Sequence, residues 1–213
     1  MPDTLPDFLP REPKQKRGRE KVAKILAAAE KIIAEQGLAE MSSPKVADEA
    51  QVPVASVYQF FPTRLAILNA LKQKYVKLLI EELARDFAQP GSIDWKDRFR
   101  IHLDVAVAFL NSDKVACAIL LAQPHYIPGA QPDLGVMPSF ERDVLALVPS
   151  PFKEAMSSRD DGPSPIRTLL HTMFAVMRAG FFEQSTITKP VADEALFVGI
   201  AYLERRLADS IDL

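Results

Sequence analysis

The chain has 213 residues, 48% hydrophobic and 25% charged, which is enough apolar content to bury a sizeable core and to hold one small and one larger domain. Its single cysteine, Cys117, excludes an internal disulfide and fits a reducing compartment. The opening run MPDTLPDFLPREP lacks the apolar stretch of a signal peptide, and no apolar span of about 18 residues follows, so a cytoplasmic protein without a membrane partner is expected.

The net charge of -2 conceals an asymmetry. Residues 11–77 carry thirteen Lys and Arg against seven Asp and Glu, whereas residues 91–213 carry twelve against sixteen. Arg11, Lys14, Lys16, Arg17, Arg19, Lys21 and Lys24 crowd together with only Glu12 and Glu20 to offset them. Residues 1–18 therefore read as a flexible basic arm, with Lys16, Arg17 and Arg19 placed to neutralise phosphates and release counterions. A first helix follows, with Val22, Ile25, Leu26, Ala29, Ile32 and Ile33 on one face and Gly37 as its C-terminal stop.

Residues 42–71 then show two short helices, a tight turn and the start of a longer helix, the layout of a DNA-reading helix-turn-helix. Ser42 or Ser43 can cap the first, Pro44 suits its first turn, and Val46, Ala47 and Ala50 supply a small apolar face. Gln51, Val52 and Pro53 form the turn, and a second helix is predicted from about Val54 to Phe60, ending at Pro62. Small side chains at Ala55 and Ser56 would let its N-terminal end approach the floor of the major groove, with Tyr58 and Arg64 toward the phosphates. Phe61 is expected in the core; Tyr58 suits either the core or the groove, since its ring can pack while its hydroxyl points out.

Residues 19–71 resemble the DNA-binding domain of the tetracycline-repressor-like (TetR) family of bacterial transcription regulators. The resemblance is carried by Val57, Tyr58, Gln59, Phe60, Phe61, Pro62, Thr63 and Arg64, followed by the apolar Leu65 and Ile67. It implies DNA contacts at Ser43, Lys45, Ala55, Ser56, Tyr58, Phe60 and Arg64, with Gln59 on the same short helix. Three residues depart from the family pattern: Gln51 stands where Gly is usual, Pro53 where Ser or Thr caps the recognition helix, and Phe60 where His is common.

Beyond the motif the pattern remains helical. A fourth helix is predicted from Arg64 to about Phe87, ended by Pro90-Gly91, and a fifth is capped by Asp94 and apolar on most sides from Phe99 to Leu110. A short helix follows from Val115 to Ala122. Residues 124–165 hold eight of the seventeen prolines, with one short helix expected around Ser139 to Val148 and an exposed turn at Asp160-Asp161-Gly162-Pro163. Two long helices close the chain, Ile166 to about Glu183 and Val191 to about Ala208. The fold expected is all-α: a helix-turn-helix domain at 19–71 and a larger helical domain at 72–213.

For that second domain the family resemblance implies a ligand pocket and pairing of the last two helices with those of a second copy. Candidate walls are Phe99, Leu103, Val107, Phe109 and Leu110, then Cys117, Leu120 and Leu121, then Met173, Phe174 and Met177, residues of a kind that more often form ordinary core than a ligand wall. Gln123, His125 and Tyr126 are the candidate polar groups. Apolar surplus at Met173, Phe174, Met177, Phe181 and Phe182 on the penultimate helix and at Val198, Ala201, Tyr202 and Leu203 on the last, with small residues at Ala179-Gly180 and Gly199, suits close helix approach and a homodimer. No metal, cofactor or catalytic residue is expected: His102, His125 and His171 are scattered, and phosphate-loop, Gly-x-Ser-x-Gly and Cys-x-x-Cys patterns are absent. The expected function is a repressor that a small, mostly apolar molecule releases from a palindromic duplex operator; the alternatives are a helical ligand sensor that no longer reads DNA, and an enzyme on a helical scaffold.

Overall fold

The structure, a computed structural model, describes residues 9–13, 15–87, 94–121, 136–148, 152–156 and 164–211. Among the described residues all regular structure is helical. The helices are α1 (Lys16–Gln36), α2 (Ser43–Glu49), α3 (Val54–Phe60), α4 (Arg64–Phe87), α5 (Trp95–Ser112), α6 (Lys114–Leu121), α7 (Val136–Leu147), α8 (Phe152–Met156), α9 (Pro165–Gln184) and α10 (Lys189–Ile211). A single 3-10 turn, Leu38–Glu40, follows α1.

Two compact units divide the chain, with one boundary inside α4 between Tyr75 and Val76. The first contains α1 to α3, the start of α4, and α6. Its core is made by Ile25, Ala29, Ile32 and Ile33 of α1 closing on Val46 and Ala47 of α2, Val57 of α3, and Phe61, Ile67 and Leu71. Complete burial of Phe61 removes its ring from water, worth about 1.5–3 kcal/mol. Local chemistry sets the helix ends. Gly37, at φ 92°, ends α1 and returns its N–H to the Ile33 carbonyl. Ser42 accepts from the Lys45 N–H at the start of α2, where Pro44 occupies the first turn.

The α2–α3 turn closes on Gln51, which adopts the left-handed conformation at φ 53°. With Gln51 so placed, the Val52 N–H reaches the Ala47 carbonyl and the Gln51 N–H reaches that of Asp48, both at 3.0 Å. This paired bonding satisfies the last carbonyls of α2, a task usually given to glycine because it carries no Cβ. The Gln departure therefore leaves the turn intact and adds a backbone cost. At Pro53 the N-cap side chain makes no bond, and the Ser56 N–H bonds the Pro53 carbonyl at 2.8 Å instead.

The second unit holds the rest of α4, α5 and α7 to α10. Asp94 caps α5 by accepting from the Lys96 N–H at 2.8 Å, and Ser164 with Pro165 starts α9. Within this unit α10 packs on α5, α8 and α9, and α7 packs on α8 and α9. Gly180 allows the α9–α10 approach: a Cβ there would meet the Val191 side chain at 2.2 Å. Asn111 holds the turn between those helices, donating to the Ile187 carbonyl at 2.8 Å and accepting from the Ile187 N–H and the Thr186 hydroxyl.

Helix bounds differ from the sequence reading by a few residues, and α6, expected within 72–213, clusters with the first unit. Helix α7 begins at Val136, three residues before the expected start, and α10 runs from Lys189 to Ile211 at greater length than the apolar pattern marked. The five-residue α8 was not expected, because so short a segment between prolines carries no periodic signal; packing on α9 and α10 forms it. Pro90-Gly91 and the Asp160 to Pro163 turn lie outside the described residues.

Candidate functional site

Helix α3 divides its residues between core and solvent. Val57 and Phe60 are buried, while Val54, Ala55, Tyr58 and Gln59 are exposed and Ser56 is half-buried. Val54 at 41% and Tyr58 at 45% exposure lie one turn apart on the same uncovered face of α3. Of the two readings of Tyr58, the structure has the exposed ring. The basic side chains Lys16, Arg17 and Arg19 are exposed on the first turn of α1, so the last three residues of the segment read as a flexible arm, 16–18, are helical and Arg19 follows directly after it.

Other residues that the family resemblance marked as DNA contacts sit differently. Ser43 is buried, with Ser42 doing the capping. Lys45 is exposed, but its ammonium donates to the Glu40 carboxylate at 2.6 Å, which holds the Glu40 pKa below the usual carboxylate value. Phe60 is buried; its carbonyl accepts from the Arg11 N–H at 2.8 Å and its ring lies beside Gly18, so the basic segment is tied to the end of α3. Arg64 donates through Nη2 to the Leu38 carbonyl at 2.6 Å, joining the start of α4 to the 3-10 turn. No local pattern reveals that bond, since the partners are 26 residues apart.

The second unit contains a cavity of about 550 Å³. Leu79 and Leu83 of α4, Phe140, Val144 and Leu147 of α7, and Phe152 and Met156 of α8 form part of its wall. Helix α9 contributes Leu169, Met173, Phe174 and Met177, and α10 contributes Leu203. A further part of the wall is one face of α5: Trp95, Arg98, Phe99, His102, Leu103 and Ala106, at i, i+3, i+4, i+7, i+8 and i+11. Ring pairs buttress it, with Trp95 against Phe152 at 5.3 Å and Phe140 against Phe174 at 6.1 Å between centroids. Gly199 leaves room for the wall residues, since a Cβ there would meet the Phe99 ring at 2.6 Å and the Met173 sulfur at 3.2 Å.

Of the candidate walls, Phe99, Leu103, Met173, Phe174 and Met177 come together around this cavity. Val107 lies off the α5 face that lines it, and the buried Leu110 lies one turn farther along. Cys117, Leu120 and Leu121 are buried in α6, which packs on α1 in the first unit. Gln123, His125 and Tyr126 lie outside the described residues. Sequence reasoning missed Trp95, Arg98 and His102 as walls, although their spacing with Phe99 and Leu103 marks a single helical face.

Residues 25–71 match the family model described as bacterial regulatory proteins, tetR family. In those residues, from α1 to the start of α4, the chain is similar to the tetR family of bacterial regulatory proteins. No curated protein matches the chain. Solved structures share the TetR-like fold at low identity. One is a TetR-family transcriptional regulator from Streptomyces coelicolor, with 20% identity, TM-score 0.56, and 87% of this chain and 98% of that one covered. A second is the fatty acid degradation regulator FadR from Bacillus halodurans, with 16% identity, TM-score 0.60, and coverage of 90% and 97%. A third is the multidrug binding protein EbrR complexed with imidazole, with 20% identity, TM-score 0.59, and coverage of 91% and 96%. At these identities the likeness shows the fold alone.

Proposed function

We propose that this chain is a TetR-family regulator, a repressor that binds a two-fold duplex operator as a homodimer and is released by a small molecule held in the second unit. The observation that carries this reading is the uncovered face of α3, where Ala55, Gln59 and the half-buried Ser56 present small and polar groups suited to base edges, with the exposed Tyr58 toward the phosphates. Lys16, Arg17 and Arg19 supply the phosphate contacts that set register and affinity. Lys45 joins them when it exchanges Glu40 for a phosphate. Because Gln51 completes the turn, the departures from the family pattern favour no second reading.

Dimerisation through α9 and α10 rests on what those helices leave uncovered. Met173, Met177 and Leu203 are spent on the chain's own cavity, whereas Phe197, at 66% exposure, and Ala201 one turn on remain in water. Ala175 and Ala179 form a similar exposed strip on α9. Ligand coupling rests on α4, a continuous helix that begins in the DNA-reading unit at Arg64 and supplies Leu79 and Leu83 to the cavity wall. A ligand that favours one setting of α4 weakens DNA by the factor by which DNA weakens the ligand.

The test is selection of bound fragments from random duplex DNA, followed by titration with the selected duplex at several salt concentrations. A two-fold site is expected, with half-site centres about 34–36 Å apart, dimer stoichiometry and a steep salt slope. Loss of preference among selected sites on Ser56→Ala, at unchanged helicity, supports α3 as reader. A monomer with no salt-dependent duplex binding refutes the reading.

A further inference from the structure

We propose that residues 9–13 form an ordered strap latched to the C-terminal end of α3, and that the latch fixes Arg11 as a phosphate contact beside the recognition helix. This positioning role deepens the DNA-reading proposed above and rests on it. Phe60 and Gly18 are then positioning residues, acting on the duplex through Arg11.

Three observations carry it. First, the buried Phe60 ends α3, where the last carbonyls of a helix have no partner inside it. The Arg11 N–H supplies one, donating to the Phe60 carbonyl at 2.8 Å. Second, Gly18 in the first turn of α1 is the seat of the strap. A Cβ there would fall 2.8 Å from the Pro13 Cβ and 3.6 Å from the Phe60 ring. The Pro13 Cβ is tied to the backbone by its ring, so a side chain at position 18 must push the strap itself away while leaving Phe60 in ordinary contact. Third, the strap is stiff. In Leu9-Pro10-Arg11-Glu12-Pro13 both Leu9 and Glu12 precede proline, which disfavours helical backbone at each and lowers the entropy lost on docking. Leu9, Pro10 and Pro13 are half-buried, whereas Arg11 and Glu12 are exposed.

Placement, and not bulk charge, gives Arg11 its effect. Glu12 beside it makes residues 9–13 neutral, so the same segment moving freely would add little to the attraction for a polyanion. Latched, the Arg11 backbone lies at the end of α3 that follows Tyr58, whose exposed ring the reading above turns toward the phosphates. A guanidinium based there offers paired N–H donors to a phosphate flanking the occupied groove. The apolar Phe60 thus serves DNA binding without touching DNA, by holding the residue that does.

The full-length protein is followed by hydrogen exchange at the Arg11 amide and by titration with the selected duplex at several salt concentrations. Without DNA the Arg11 amide should be protected in the parent and exchange freely in Gly18→Ala, at unchanged helicity. Arg11→Ala should weaken every duplex about equally and lower the salt slope by about one unit, so that the affinity lost between about 50 and 200 mM salt shrinks roughly fourfold. Gly18→Ala keeps every charge and should do the same, and Arg11→Ala should add nothing further in that background. Arg19→Ala should keep its full effect in both backgrounds, and Arg11→Lys should retain most of the slope. If alanine at position 18 leaves the Arg11 amide protected, Gly18→Leu drives a larger side chain into the strap and takes its place in the comparison.

Free exchange of the Arg11 amide in the parent, or protection that survives Gly18→Leu, would overturn the latch. An Arg11→Ala variant that binds like the parent would overturn the phosphate contact. So would a released amide at parental affinity and slope, or losses from Gly18→Ala and Arg11→Ala that simply add. Each of these results, in a parent that binds duplex with a steep salt slope, leaves the regulator reading standing. A parent without salt-dependent duplex binding refutes that reading, and the Arg11 contact falls with it.

Discussion

Replacing two glycines of the same helical layer by alanine should give opposite kinds of damage. At Gly180 the added Cβ falls 2.2, 2.7 and 3.0 Å from Cγ2, Cγ1 and Cβ of Val191. A β-branched side chain has no alternative rotamer that clears all three contacts, so α9 and α10 must separate. The expected cost is at the upper end of the about 1–3 kcal/mol typical of overpacking, reduced by the roughly 1 kcal/mol helical preference of alanine over glycine. At Gly199 the obstacles are the far edge of the Phe99 ring, at 2.6 and 2.7 Å, and the Met173 sulfur at 3.2 Å. Both side chains border the cavity and can turn into it. Overpacking and helical preference then nearly cancel, and stability should change by less than about 1 kcal/mol, a melting shift within about 4 °C. The loss appears instead as space: Gly199→Ala should weaken binding of an apolar probe such as dodecanol in the cavity, whereas Gly180→Ala should lower the denaturation midpoint. Urea unfolding of both variants, with dodecanol titrations followed by Trp95 emission alongside, provides the comparison. Equal stability losses, or an unchanged probe affinity in Gly199→Ala, would refute the assignment of Phe99 and Met173 as the yielding walls.

Gln51→Gly should stabilise the first unit by about 0.5–1 kcal/mol, because the left-handed penalty of about 1–2 kcal/mol for a residue with a Cβ outweighs the chain entropy that glycine forfeits; an unchanged or lower urea midpoint would remove the strain argument. Asn111→Ala should cost about 1–3 kcal/mol by leaving the Ile187 N–H and carbonyl without their partner, and Asn111→Asp should fall between it and the parent because it keeps only the accepting oxygens. Glu40→Gln should strengthen duplex binding and steepen the salt slope by up to about one unit by freeing Lys45 for a phosphate. Acid should mimic that substitution only below the ordinary carboxylate range. Lys45 holds the Glu40 pKa down, so the pair's contribution is present above that range and fades as pH falls through the lowered value.

What the sequence by itself determined lies within a few residues of each position. Helix caps at Ser42, Asp94 and Gly37, the bounds of α3 and α4, and the apolar spacing of α1 follow from backbone groups that a neighbouring side chain satisfies or a Cβ forbids. The helix-turn-helix was legible for the same reason, since each of its parts is short-range. Tertiary structure decided everything that depends on which distant face meets which. It turned Arg64 onto the Leu38 carbonyl and Lys45 onto Glu40, and buried Phe60 beside Gly18. It placed Cys117 and Leu121 in the first unit's packing on α1 and brought Arg98 and His102 to the wall of a cavity built by six helices. An apolar helix face states only that it will be covered; burial is non-directional, so the identity of the cover, and the polar group left among apolar neighbours, emerge only when the helices pack.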